Sequence, residues 1–246
     1  MEAHLHEWLN LSIRWVHMIT GVAWIGASFY FVWLENNLNR VNPKDGLAGD
    51  LWAIHGGGIY HLEKYKLAPP KMPENLHWFK WEAYSTWLSG MSLLAVMYWA
   101  GATTHLIDSR VMALSQPAAI GISVAFIATG WLVYDALCRA LFGRDGLMAV
   151  LLFAFVVLAD WLLHQVFSAR GAYIHVGAML GTMMVANVFV HIIPGQRRMV
   201  AQIRARQPVD PRPGQVGKQR SVHNTYFTLP VLFIMISNHY PMTYSH

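Results

Sequence analysis

From Leu147 to Val166 the chain runs for twenty residues with Asp160 as its only formal charge. A helix of that length rises about 30 Å, the depth of the hydrocarbon layer of a bilayer. Four more stretches share the character, at roughly 11–34, 82–101, 117–138 and 171–193, and the apolar run containing Leu147 extends over 147–168. A sixth, 223–240, is slightly short and contains Pro230, which kinks a buried helix whose freed carbonyl neighbours can satisfy. Charged residues make up 13% of the chain, where a soluble domain carries about 25%. The expectation is an all-α integral membrane bundle of six transmembrane helices, a single domain over residues 1–246. The 11 Trp, 10 Tyr and 11 Phe suit rings placed at membrane interfaces.

The charge pattern orients this bundle. Between the fifth and sixth helices lie Arg197, Arg198, Arg204, Arg206, Arg212, Lys218 and Arg220 against Asp210, so the basic loop 194–222 is expected on the cytoplasmic side. Counting one crossing per helix places the long connection 35–81 inside as well and both termini on the periplasmic side of a bacterial inner membrane. The net charge of +5 is thus topological, and nucleic acid is set aside as a partner. The single cysteine, Cys138, excludes an internal disulfide and excludes c-type haem attachment through Cys-x-x-Cys-His within this chain. The acidic start, Glu2 and Glu7, together with a first apolar run long enough to span, argues against a cleavable signal peptide. Connection 35–81, with Gly56-Gly57-Gly58 and Pro69-Pro70, is expected to pack over the inner face as short ordered pieces.

Thirteen histidines in so apolar a chain are the main chemical signal, because ionisable groups in a membrane are costly and face a bundle interior or cavity. One group falls near the outer face. His17 and His175 lie at matched depth on the first and fifth helices, with Gly21, Gly177 and Gly181 nearby, which suits a flat macrocycle held from two sides. Polar glue between helices is the alternative. Asp160 and His164 share a helix face at i, i+4, and His239 ends the sixth helix. A second group falls near the inner face: His55, Gly57, Tyr60, His61 and Lys64 around the triple glycine, Glu82 at the start of the second helix, and His191, His223 and Asn224 flanking the basic loop. Donors and a base together suit a small, flat, anionic substrate. A solvated loop with interfacial aromatics is the competing explanation. No P-loop, nucleophile elbow, zinc-protease or dinucleotide motif is present, which leaves redox chemistry with a bound cofactor as the favoured enzyme class.

Several long runs carry a family resemblance. The segment Arg14-Trp15-Val16-His17-Met18-Ile19-Thr20-Gly21-Val22-Ala23-Trp24 through Tyr30, His55-Gly56-Gly57-Gly58 through His61 to Lys64, and Trp78-Phe79-Lys80-Trp81-Glu82 resemble the bacterial membrane-type urate oxidases. So do Thr86-Trp87-Leu88-Ser89-Gly90, Lys218-Gln219-Arg220-Ser221 leading into His223-Asn224, Leu229-Pro230-Val231-Leu232-Phe233, and Ser237-Asn238-His239-Tyr240-Pro241. The resemblance implies oxidation of urate to 5-hydroxyisourate, with electrons passed to a cytochrome c domain or a separate cytochrome c. It implies haem b, with His17 and His175 as metal ligands and His239 as the substitute. His61, His223 and Glu82 are then the expected catalytic residues, with His55, Gly57, Tyr60, Lys64 and Asn224 binding substrate. The first helix is also similar to that of haem-binding membrane protoporphyrinogen oxidases and copper-resistance proteins. The family's C-terminal cytochrome c domain is expected to be absent, through truncation or by nature. Two alternatives stay open: a non-catalytic haem subunit of a larger membrane complex, and a protoporphyrinogen-oxidase-like enzyme.

Overall fold

A computed structural model describes residues 2–245. Helix α1 runs over Glu2–Asn36, β1 over Leu47–His55, β2 over Gly58–Tyr65 and α2 over Trp81–Leu94. There follow α3 (Ala102–His105), α4 (Gln116–Ala140), α5 (Asp145–His164), α6 (Ala169–Ala186), α7 (Ile193–Arg204) and α8 (Arg212–Ser237). Two π-helical stretches interrupt this order without breaking the chain's course. Ala95–Trp99 prolongs α2, and Asn187–Ile192 joins α6 to α7.

Helix α6 lies at the centre, with Ala172, His175, Met179, Leu180 and Met183 buried, whereas α1 exposes Trp15, Met18 and Val22. Around α6 stand α4, α5, α8 and α2, while α1 leans on α2 from outside. The core between them is filled by Phe167, Leu106, Met148, Leu163, Met179 and Met183, all fully buried. The outer faces of α1 and α5 carry large apolar side chains. Trp15, Met18 and Val22 on α1 and Phe153, Val157 and Trp161 on α5 are exposed, a distribution that water disfavours and lipid accepts.

Four helical segments are long and apolar enough to cross a membrane: His4–Asn36, Gln116–Ala140, Asp145–His164 and Ala169–Arg204. All six expected helices form, with α2 and α8 falling outside these four. The α-helical part of α2 is 14 residues long, and its continuation changes pitch at Ala95. In α8 the first turns are polar, with Arg212, Lys218 and Arg220, and the apolar run begins only near Phe227.

Two further differences from expectation have local causes. The basic segment 194–222 is helical except for a short link at 205–211. Pro194 does not stop the helix, because it sits directly after the wider π stretch and at the first turn of α7, where a missing N–H costs least. The connection 35–81 contains an antiparallel hairpin, so the fold is helical with one β-ribbon. Gly56 and Gly57 form its two-residue turn with φ of +58° and +78°, left-handed values at both central positions that match hairpin twist and that glycine adopts freely. The hairpin is tied to the end of α1 by ion pairs from Lys64 and Arg40 to Glu35.

Candidate functional site

The polar side chains of the bundle collect in two layers, each built around one of the π stretches. In the first, Trp99 Nε1 donates to Ser123 Oγ at 2.9 Å. The Ser123 hydroxyl meets His175 Nε2 at 2.6 Å, and His175 Nδ1 lies 2.7 Å from the carbonyl of Gly171. A carbonyl only accepts, so Nδ1 carries the proton and Nε2 accepts from Ser123. His175 is wholly buried, beside Phe167 and Tyr98, and the Tyr98 hydroxyl is a buried group without a partner.

His17 repeats the pattern on α1. Its Nδ1 lies 3.0 Å from the Thr86 carbonyl and 3.0 Å from Ser89 Oγ, whose own hydroxyl donates back to the backbone of α2. Nδ1–H is therefore the donor, and the Nε2 lone pair is left with no hydrogen-bond partner among the described residues. Gly90 makes the approach possible: a Cβ there would lie 2.9 Å from His17 Cε1. An imidazole whose Nδ1–H is fixed on a backbone carbonyl presents Nε2 in the form a metal requires. His17 thus has the tautomer and the free nitrogen that an iron ligand needs. His175 fits in tautomer, but its Nε2 is already used by Ser123, and the two rings are held against different helices, α2 and α4. His239 lies just beyond α8 and is exposed.

The second layer is denser. Arg220 on α8 is 1% exposed, and its Nη2 reaches Asp135 Oδ1 of α4 at 2.6 Å. The same carboxylate receives His191 Nε2 at 2.6 Å and Arg139 Nε at 2.7 Å. Arg220 Nη1 also reaches Asn187 Oδ1 at 3.2 Å. Asn187 in turn donates to the Tyr134 hydroxyl at 2.8 Å and to Asn224 Oδ1 at 2.9 Å, and Tyr134 meets His223 Nδ1 at 2.9 Å. Three helical elements are thereby locked through one carboxylate. Asp135 faces two guanidiniums and an imidazole, so the layer keeps a positive excess.

Beside this layer opens a cleft of about 470 Å³ between the ends of α4, α7 and α8. A second cleft, about 390 Å³ near the opposite end of the bundle, is lined by Asp160, His164, Phe167 and Tyr173. His164 is 3.4 Å from Asp160 Oδ1, the i, i+4 pair that the sequence spacing predicts.

The residues expected at the inner face are not one cluster. His223 and Asn224 belong to the second layer. His55, Gly57, Tyr60, His61 and Lys64 lie on the hairpin, with Gly57 in the turn and Lys64 paired to Glu35. His61 Nε2 bonds Asp50 at 2.8 Å and its ring stacks on Trp52, while His55 and Tyr60 are exposed. The nearby Lys44 ammonium, 2.8 Å from Glu63, holds that carboxyl below its ordinary range. Glu82 stands at the start of α2, with Oε2 buried and unpartnered and His77 3.8 Å from Oε1. Gly56 and Gly57 have a structural reason in the turn itself. Asp135, Asn187, Tyr134 and Ser123 were not among the expected site residues. A lone carboxylate within an otherwise apolar helix, as Asp135 is, marks such a site in the sequence.

A helical protein with four segments long and apolar enough to cross a membrane, enclosing two groups of buried histidine and hydrogen-bond donors, has an architecture consistent with membrane association. A family model narrows this further: the urate oxidase N-terminal family matches residues 3–246, and the chain belongs to this family. Comparison with curated proteins and with solved structures gives no significant match.

Proposed function

We propose that the chain is a multi-pass, haem-dependent urate oxidase of the bacterial inner membrane, with six crossings and electrons passed to a cytochrome c. Membership of the urate oxidase N-terminal family over nearly the whole chain supports the substrate. The observation that carries the cofactor is His17, whose Nδ1–H is fixed on the Thr86 carbonyl while Nε2 has no hydrogen-bond partner. His17 would hold haem b, with His175 as second ligand and His239 as the substitute. When bound, haem supplies a one-electron acceptor.

The overall chemistry balances without oxygen. Urate gives up two electrons and two protons while water supplies the hydroxyl oxygen of 5-hydroxyisourate. The chain's part is to seat the anion and take protons. Of the sequence-derived candidates, His223 and Asn224 are joined to the buried layer through Tyr134 and Asn187, which fixes them relative to the bundle. His61 and Glu82 stand on other elements and are proposed in no direct step.

The test is His17→Ala in the membrane-extracted full chain. Haem content is expected to fall several-fold and the Soret band to shift, because the ligand is lost. His164→Ala serves as the control and keeps its haem. Full haem with an unchanged spectrum in His17→Ala overturns the ligand assignment.

A further inference from the structure

The cleft beside the second layer has a chemistry that the rest of the molecule lacks. Arg139, His191, Arg198, Arg212, Gln219 and Arg220 line it. Two of these carry donors that are buried and unpartnered among the described residues, Arg220 Nε and Gln219 Nε2. Arg220 is almost wholly buried at 1% exposure, so its orphaned N–H is a standing desolvation cost unless an acceptor enters the cleft. The one carboxylate of the lining, Asp210, is already engaged through Oδ1 by the backbone N–H of Arg212. Every other charged group of the lining is a cation or an imidazole.

Shape agrees with charge. The Arg212 guanidinium lies over the ring of Phe142, 3.9 Å from its centroid, so a cation–π pair lines the cleft and offers an aromatic face to a flat guest. The cleft volume, about 470 Å³, falls within the range of small-molecule sites. Its floor is continuous with the second layer. Cys138 lines the cleft and its Sγ lies 3.6 Å from His223 Nδ1, while Arg220 shares Asn187 with Tyr134.

We propose that this cleft seats a planar organic anion, its carbonyl or ring acceptors taking the N–H groups of Arg220 and Gln219 while Arg198 and Arg212 neutralise its charge. Identifying that anion as urate rests on the oxidase function proposed above. The seat lies between α4, α7 and α8, away from the hairpin that carries His55, His61 and Lys64.

Equilibrium dialysis of radiolabelled urate against the full chain in nanodiscs reads binding without reading electron transfer. Wild-type protein is expected to bind urate saturably. Arg198→Ala and Arg212→Ala, both exposed and neither bonded to Asp135, are each expected to weaken binding roughly tenfold, the scale of a hydrogen bond to a charged group. Gln219→Leu is expected to weaken it similarly, and added salt to weaken it further. A single monodisperse peak on size exclusion of the same samples confirms that each variant is folded. Urate bound with unchanged affinity in all three variants overturns the cleft and leaves the oxidase proposal standing. Absence of urate binding also overturns the cleft as a substrate seat. Retention instead of inorganic phosphate, or of anionic over zwitterionic lipid, lost in the same variants, would make it a headgroup site and equally contradict the proposal.

Discussion

Asp135 neutralises a buried guanidinium, accepts from His191 and takes Arg139 on its other oxygen. Removing one partner of such a group strands the other in a medium that cannot solvate it, which costs about 3 kcal/mol or more. Asp135→Asn is therefore expected to lower the denaturation midpoint of the detergent-solubilised chain sharply, whereas Asp135→Leu combined with Arg220→Met recovers much of the loss. Equal and additive losses in the single and double variants would show that the two side chains do not depend on each other. This layer was half legible in the sequence. His191, His223 and Asn224 stand out as polar groups in apolar surroundings. Their partners Tyr134 and Asn187 do not, because nothing in the residue order says which helix faces which. Nor does the spacing reveal that Ser123 occupies the nitrogen of His175 which a metal would take.

At the scale of elements, apolar length was the readable signal, and the helices form close to where the runs of apolar residues lie. What escaped was structure without that signal. The hairpin is written as two runs flanking a glycine pair, Trp52-Ala53-Ile54 and Ile59-Tyr60-His61, but its faces are mixed and part of the apolar set is exposed, so no clean alternation announces it. The basic helix α7 was hidden by its charges, which set topology and helix equally well. The hairpin's turn makes a direct test. Gly57→Ala puts a side chain at φ of +78° and is expected to destabilise the hairpin by about 1 kcal/mol, so amide protection over 47–65 falls roughly fivefold. Unaltered protection would mean that the ribbon is held by its contacts to α1 and not by its turn. The two π stretches are the other feature without a sequence signature, and each faces a polar layer: Trp99 turns toward Ser123, and Asn187 and His191 toward Arg220 and Asp135.

At the scale of the whole molecule, the exposed apolar surface and the two internal polar layers are complementary facts. A chain with much apolar surface on its helices gains by satisfying its buried polar groups internally, and this chain gathers them around His175 and around Asp135. The layer around His17 and His175 has imidazoles in the tautomer a metal takes, and the layer around Arg220 has surplus donors for an anion. On the function proposed above, electrons would pass from urate beside Arg220 to a haem held by His17. The most direct test is the optical spectrum of the purified chain, recorded oxidised, after urate under anaerobic conditions, and after dithionite. The account predicts a haem spectrum whose Soret and α bands shift to the reduced form on adding urate alone. A haem spectrum that responds to dithionite but not to urate, or no haem spectrum at all, would contradict it.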